Sequence, residues 1–167
     1  MKAGYSGTPL PKKLGIKDGH AVLFAGAPAE FDQHLIPLPH DVRVLRVGRM
    51  VPGGDPEGME SVLNPIDLPD RRFDVALLFC PRAADLERLF RPAISCIKWN
   101  GGLWVCWPKK SSPLHVDLAE SQVRSSGLEA GLVDNKICAV TQDWSGLRFV
   151  VRREDRPKGD EEGGPTA

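Results

Sequence analysis

The sequence predicts a three-layer α/β domain, with a mostly parallel sheet, helices on both faces and an antiparallel hairpin at its C-terminal end. Three observations predict it. Apolar runs of strand length alternate with segments of helical spacing from residue 21 to about residue 126, and parallel neighbours need crossover connections, which are usually helices. One run, "AVLFA", is continuously apolar, as strands buried on both faces of a parallel sheet are, and "FDVALLFC" is a second run of strand length, apolar but for Asp74. Finally, "KICAVT" and "LRFVVR" are separated only by "QDWSG" with its Gly146, which is a hairpin signal.

The elements follow in chain order. Thr8 caps a short helix beginning at Pro9, because proline suits the first helical position and loses no needed donor there. Gly15 ends it. Residues 21–25 form the first strand, and a helix over 28–36 follows until "PLP" at 37–39 stops it. A β-branched strand runs over 42–47. The stretch after it is rich in Gly and Pro and reads as a loop with one edge strand near 61–66. Residues 73–80 make the clearest strand. Leu86, Leu89, Phe90, Ala93, Ile94 and Ile97 then fall at helical spacing, with Pro92 kinking or dividing the helix. "GGLWVCW" is the next strand, and the D-x-x-E pattern of Asp117 and Glu120 opens a helix through Ser126.

The chain has 167 residues, 41% of them apolar, enough for one domain over 1–151 with a sizeable core. Residues 152–167, "RREDRPKGDEEGGPTA", have almost nothing to bury and read as a disordered charged tail. A formal net charge of zero gives no bulk field for coating nucleic acid, so nucleic acid is not an expected partner. The N-terminal stretch lacks the apolar core of a secretory signal, and no run reaches the length of a membrane span. The expected location is the cytoplasm, away from membranes. Cys80, Cys96, Cys106 and Cys138 are widely spaced without a C-x-x-C pair and read as buried, reduced residues. The four histidines show no ligand spacing. No metal is expected.

"FDVALLF" before a helix, "NGGLWV" after it and a closing hairpin together resemble the Rossmann-like fold of S-adenosylmethionine-dependent methyltransferases over about residues 21–152. "GYSGTPLPKKLGIK", "LWVCWPKK" and "GLVDNKICAVTQDWSGLRFVVR" are similar to a bacterial family known only as a domain of unknown function, and this likeness spans nearly the whole chain. The second resemblance implies no activity, so the chemistry has to be read from residues.

The turn after the first strand, "AGAPAEF", is a poor phosphate cradle. A dinucleotide fingerprint wants G-x-G-x-x-G so that backbone approaches the pyrophosphate and a helix N-terminus faces it. Here Gly26 stands alone, Pro28 supplies no N–H, and Glu30 places a negative charge in the first turn. Methyltransferases usually carry an acidic residue at the end of the second strand for ribose hydroxyls. This sequence has "RVGR", with Arg46 and Arg49, and "CPR" follows "FDVALLF" where an N-P-P-Y-like motif would stand. No cofactor is expected, and S-adenosylmethionine is not expected to bind.

Ligands of open α/β sheets bind beyond the carboxyl ends of the strands. The residues just past those ends are Gly48 and Arg49, then Pro81 and Arg82, then Trp107, Pro108, Lys109 and Lys110, followed by Ser111 and Ser112. None of these is a carboxylate. One reading is an anion site made of Arg49, Arg82, Lys109, Lys110, Ser111 and Ser112, with Gly26 and Trp107 as walls of the cleft. The other is a solvated turn, because lysines are usually exposed for no special reason.

Trp99, Trp104 and Trp144 read as core or interface residues, since no basic residues interleave them along one strand. Trp144 either sits exposed at the hairpin tip, as a partner surface would, or packs beneath the turn. Ser111 and Ser112 lie near His115, but there is no G-x-S-x-G elbow, and Asp117 reads as a helix cap rather than a triad member. No catalytic residue is assigned. The resulting expectation is a noncatalytic binding or regulatory module for an anionic small molecule or a protein partner. The alternative is an enzyme, methyltransferase-like or acting on a phosphate-containing substrate, in which Arg82 and Lys109 stabilise developing negative charge.

Overall fold

Buried hydrophobic residues alternate along the strands and sort into two clusters, one on each face of a six-stranded sheet. The computed structural model describes residues 8–48 and 70–157. The edge strand expected near 61–66 lies outside the described residues. Helix α1 is Leu10–Leu14; strands β1, β2 and β3 are Ala21–Ala25, Arg43–Val47 and Phe73–Phe79; helix α2 is Ala83–Cys96. Strand β4 is Ile97–Pro108, helix α3 Glu120–Glu129, and strands β5 and β6 are Leu132–Ala139 and Trp144–Val151. The order across the sheet is β2-β1-β3-β4-β6-β5. The first four are parallel, whereas β6 runs antiparallel to both β4 and β5.

The two-residue period of a strand sends Leu23 and Ala25 to one face and Val22 and Phe24 to the other,. Helices α2 and α3 cover the first face through Leu86, Leu89, Phe90, Ala93 and Val123. On the second face Leu14 of α1 meets Phe31 and Leu35, which belong to a 3-10 helix over Ala29–Leu35. An edge-to-face aromatic chain crosses that face from Phe24 to Phe31 at 5.3 Å, to Phe79 at 5.1 Å and to Trp144 at 5.2 Å,. Trp144 is therefore inside strand β6 and 2% exposed, and it offers no partner surface.

Several expected details differ. Helix α1 begins at Leu10, with Pro9 as N-cap and no side-chain cap bond, so Thr8 does not cap it. Gly15 ends it in the left-handed conformation at φ 83°, as the glycine predicts,. The segment expected as a helix over 28–36 is a 3-10 helix, being too short between Pro28 and Pro37 for the cooperativity an α-helix needs,. Pro92 lies inside α2 without dividing it. Burial of Leu89 and Phe90 before it and of Ala93 and Cys96 after it outweighs the roughly 3 kcal/mol a helical proline costs,.

Asp117 caps a different helix from the one expected. Its Oδ1 accepts the backbone N–H of Ala83, the first residue of α2, at 2.9 Å. Helix α3 runs to Glu129, and Gln122 caps its start by accepting the N–H of Ala119 at 2.8 Å. The tail expected from Arg152 opens with a 3-10 turn over Arg153–Asp155, and residues 158–167 lie outside the described residues.

Candidate functional site at the carboxyl end of the sheet

At the end of β1 the chain turns through Gly26, whose φ of 74° favours glycine,. Its N–H is already committed to the carbonyl of Val47 at 2.8 Å. Pro28 then starts the 3-10 helix with Glu30 and Asp32 in its first turn. Arg46, one residue from the end of β2, bonds the Asp32 carboxylate at 2.7 Å across that gap. The corner thus offers a phosphate neither the Gly26 N–H nor one from Pro28, and it carries acid in the first turn of the 3-10 helix,. Arg49 lies outside the described residues.

At the end of β3, Arg82 is not a free cation. Its Nε and Nη2 grip the two oxygens of Asp85 at 3.2 Å each, its backbone N–H donates to the same carboxylate at 3.1 Å, and Arg88 adds a bond at 3.0 Å. Asp85 is fully buried, so its charge requires partners. The i to i+3 spacing of Arg82 and Asp85 was the available sequence signal. Cys80, just before, is buried, and burial beside Asp85 pushes its thiol well up. Burial does the same to Cys106 and raises Cys96 to about 11. None of these thiols is poised as a nucleophile.

At the end of β4, Lys109 donates its N–H to the carbonyl of Asp143 at the hairpin turn, 2.8 Å away. Lys109 and Lys110 border a cleft of about 330 Å³ with the first turn of α3 on its other side. The buried Trp107 and Leu118 line it too, as do Ser121 and Ser145. Trp107 is only 5% exposed, which leaves it an apolar lining rather than a stacking wall. Glu120 also lines the cleft, with its carboxylate 2.9 Å from Arg124. The rim is therefore not free of carboxylates, because helix α3 and the first turn of α2 bring Glu120 and Asp85 to strand ends that read as purely cationic in sequence.

The structure brings Trp107, Lys109 and Lys110 together and leaves Gly26, Arg82, Ser111 and Ser112 outside this cleft. Ser111 is exposed. Ser112 is buried, and its Oγ accepts the N–H of Leu114 at 3.0 Å. With Asp117 on Ala83 there is no Ser-His-Asp arrangement at this turn,. Ser121 and Ser145 were missed because nothing local marks them. Ser145 enters through the pairing of Trp107 with Ser145 between β4 and β6, and Ser121 through the packing of α3. Among the described residues no group of three His, Cys, Asp or Glu side chains is placed to hold a metal. No helix among them is long and apolar enough to cross a membrane.

This sheet, with its parallel run closed by an antiparallel β4-β6-β5 end, is the fold of the S-adenosylmethionine-dependent methyltransferases. The chain is similar to a SAM-dependent methyltransferase from Aquifex aeolicus, at 19% identity over 84% of this chain and 87% of that one, with a TM-score of 0.61. It is also similar to a putative type 11 methyltransferase from Sulfolobus solfataricus, at 14% identity over 90% and 94% of the two chains, TM-score 0.56. A third neighbour is the Burkholderia thailandensis 1,6-didemethyltoxoflavin-N1-methyltransferase, whose structure holds S-adenosylhomocysteine. It shows 15% identity over 84% and 73% of the two chains, with a TM-score of 0.54. No curated protein matches the chain. The chain belongs to the family described as "Protein of unknown function (DUF3052)", whose sequence model matches residues 65–153.

Proposed function

We propose that this chain is a noncatalytic binding or regulatory module on a methyltransferase-like fold, and that its ligand is a small anionic molecule held beside Lys109 and Lys110. The observation that carries the reading is the cleft between the end of β4 and the start of α3, lined by Lys109 and Lys110, by Ser121, Ser145 and Glu120, and by the buried Trp107 and Leu118. Lysine ammonium groups and hydroxyl donors suit a phosphate or carboxylate group, and a concave site with few polar groups is the ordinary form of a small-molecule site. The lone Gly26, the acids of the 3-10 helix and the buried thiols support a binding role over a catalytic one. A single domain in the cytoplasm fits four cysteines without a disulfide,.

The second reading is a methyltransferase-like enzyme, and what supports it is that one protein of similar fold holds S-adenosylhomocysteine. Calorimetry separates the two. The binding-module reading expects no S-adenosylmethionine binding, and tight, stoichiometric binding would overturn it. A thermal-shift screen of phosphate- and carboxylate-bearing metabolites at low salt is expected to find one that raises Tm. That rise disappears in K109A/K110A, whose own Tm stays near the parent's. A parent unresponsive to every anion, or a double variant that responds equally, removes the cleft from consideration.

A further inference from the structure

The carboxyl end of β6 carries three arginines that no carboxylate among the described residues answers. Strand alternation puts Arg148 and Arg152 on one side of the extended chain. The 3-10 turn over Arg153–Asp155 then folds the backbone back, so that Arg156 donates from Nε to the carbonyl of Val151 at 3.1 Å. All three arginines are half-buried.

Arg148 lies flat across β4. A Cβ on Gly102 would meet its Nε at 2.4 Å and its Cζ at 2.6 Å, so the guanidinium rests in the space that this glycine leaves. Its Nη1 donates to Asn135 Oδ1, a neutral acceptor, at 3.3 Å. Arg152 Nε is buried without a hydrogen-bond partner. Among the described residues no carboxylate lies within ion-pair distance of Arg148, Arg152 or Arg156. Glu154 and Asp155 stand between two of them in sequence but are exposed. Burial lowers the pKa of Arg148, and the neighbouring Arg156 charge lowers it further. Like charges partly withdrawn from water, with an unsatisfied N–H beside them, cost free energy that an anion would relieve.

We propose that Arg148, Arg152 and Arg156 form an anion site that takes a phosphate group, separate from the Lys109 cleft. Because β6 runs antiparallel to β4, this cluster lies at the end of the sheet opposite the cleft. Guanidinium forks match tetrahedral oxyanions, and a phosphate dianion has enough acceptor oxygens for donors arriving from three side chains, whereas a carboxylate has two. Inorganic phosphate and the phosphoryl group of a small phosphomonoester share this chemistry.

The test is an NMR titration of the full chain at constant ionic strength, read at the arginine Nε–Hε signals. Inorganic phosphate and glycerol phosphate are the two probes, and the tighter one identifies the source. Saturable shifts are expected at Arg148 and Arg156. They persist in K109A/K110A, which separates this site from the cleft whatever the fate of the proposed function. Arg156→Gln is expected to weaken binding about tenfold or more, the loss of a charge-assisted bond. Arg148→Lys keeps the charge but loses the fork, so it also weakens binding and carries the test if Arg156→Gln fails to fold. Absence of saturable shifts with either probe overturns the proposal. So does Arg148→Lys binding as tightly as the parent, which would mean diffuse surface charge, and so does acetate matching phosphate.

Discussion

Gly127→Ala is expected to destabilise the protein although it places a better helix former in mid-helix. Gly127 lies inside α3 and is buried. On helix propensity alone the change would stabilise by about 1 kcal/mol. Packing decides the other way. A Cβ at 127 would sit 2.0 Å from Cε1 of Phe149 and 2.5 Å from two more atoms of its ring. Phe149 is fully buried, with its ring centroid 5.7 Å from that of Phe90, so the ring cannot swing into solvent, and relief requires shifting α3 off the sheet. Overpacking of this kind costs about 1–3 kcal/mol, occasionally more, and a 2.0 Å approach belongs at or beyond the upper end. The net loss is about 2 kcal/mol or more after the propensity gain, and Tm falls by roughly 2–4 °C for each kcal/mol in a chain of this size. Thermal melts by circular dichroism measure it, with the exposed Ser125→Ala as a propensity control that shifts Tm slightly upward. If Gly127→Ala melts at or above the parent temperature, the packing of α3 on Phe149 is wrong.

Two further outcomes are expected. Asp117→Ala removes the acceptor for the Ala83 N–H and costs about 0.5–1 kcal/mol in urea denaturation, at the lower part of the range for helix caps because the bond is exposed. His20 has its pKa lowered, chiefly by burial, with Lys17 and Lys98 adding to the effect and Asp74 opposing it. Its Nδ1 accepts the N–H of Lys17 at 3.1 Å, which a protonated ring cannot do. The folded state therefore binds fewer protons than the unfolded one, and this part of the stability is lost as pH falls below about 6.5. Urea midpoints between about pH 7 and pH 5 should fall less steeply in His20→Asn, which keeps an acceptor but does not titrate in that range. Equal slopes would dismiss the assignment.

Much of the fold was legible because it depends on neighbours in sequence. The apolar run Ala21–Ala25 and the spacing of Leu86, Leu89, Phe90 and Ala93 state their own periods, and Gly15 marks a left-handed cap. The candidate site was less so. Lys109 and Lys110 follow β4 directly and could be placed, but Arg82 was read as a rim cation although its partner stands only three residues away. Ser145 gave no sign at all, since it reaches the cleft only because β6 inserts between β4 and β5 rather than pairing with β5 alone.

By itself, then, the sequence determined the alternation of strands and helices, the closing hairpin, and the loss of a glycine-rich turn after β1. All of these rest on side-chain period and backbone freedom within a few residues. The tertiary structure alone decided that Asp117 caps α2 rather than α3, that Trp144 completes an aromatic chain inside the core, and that Arg148 and Arg156 lie near each other with no carboxylate among the described residues paired to them. Those facts depend on which distant segments the sheet order brings together. A charge or a hydrogen-bond donor has no local pattern that says what it will face across a fold.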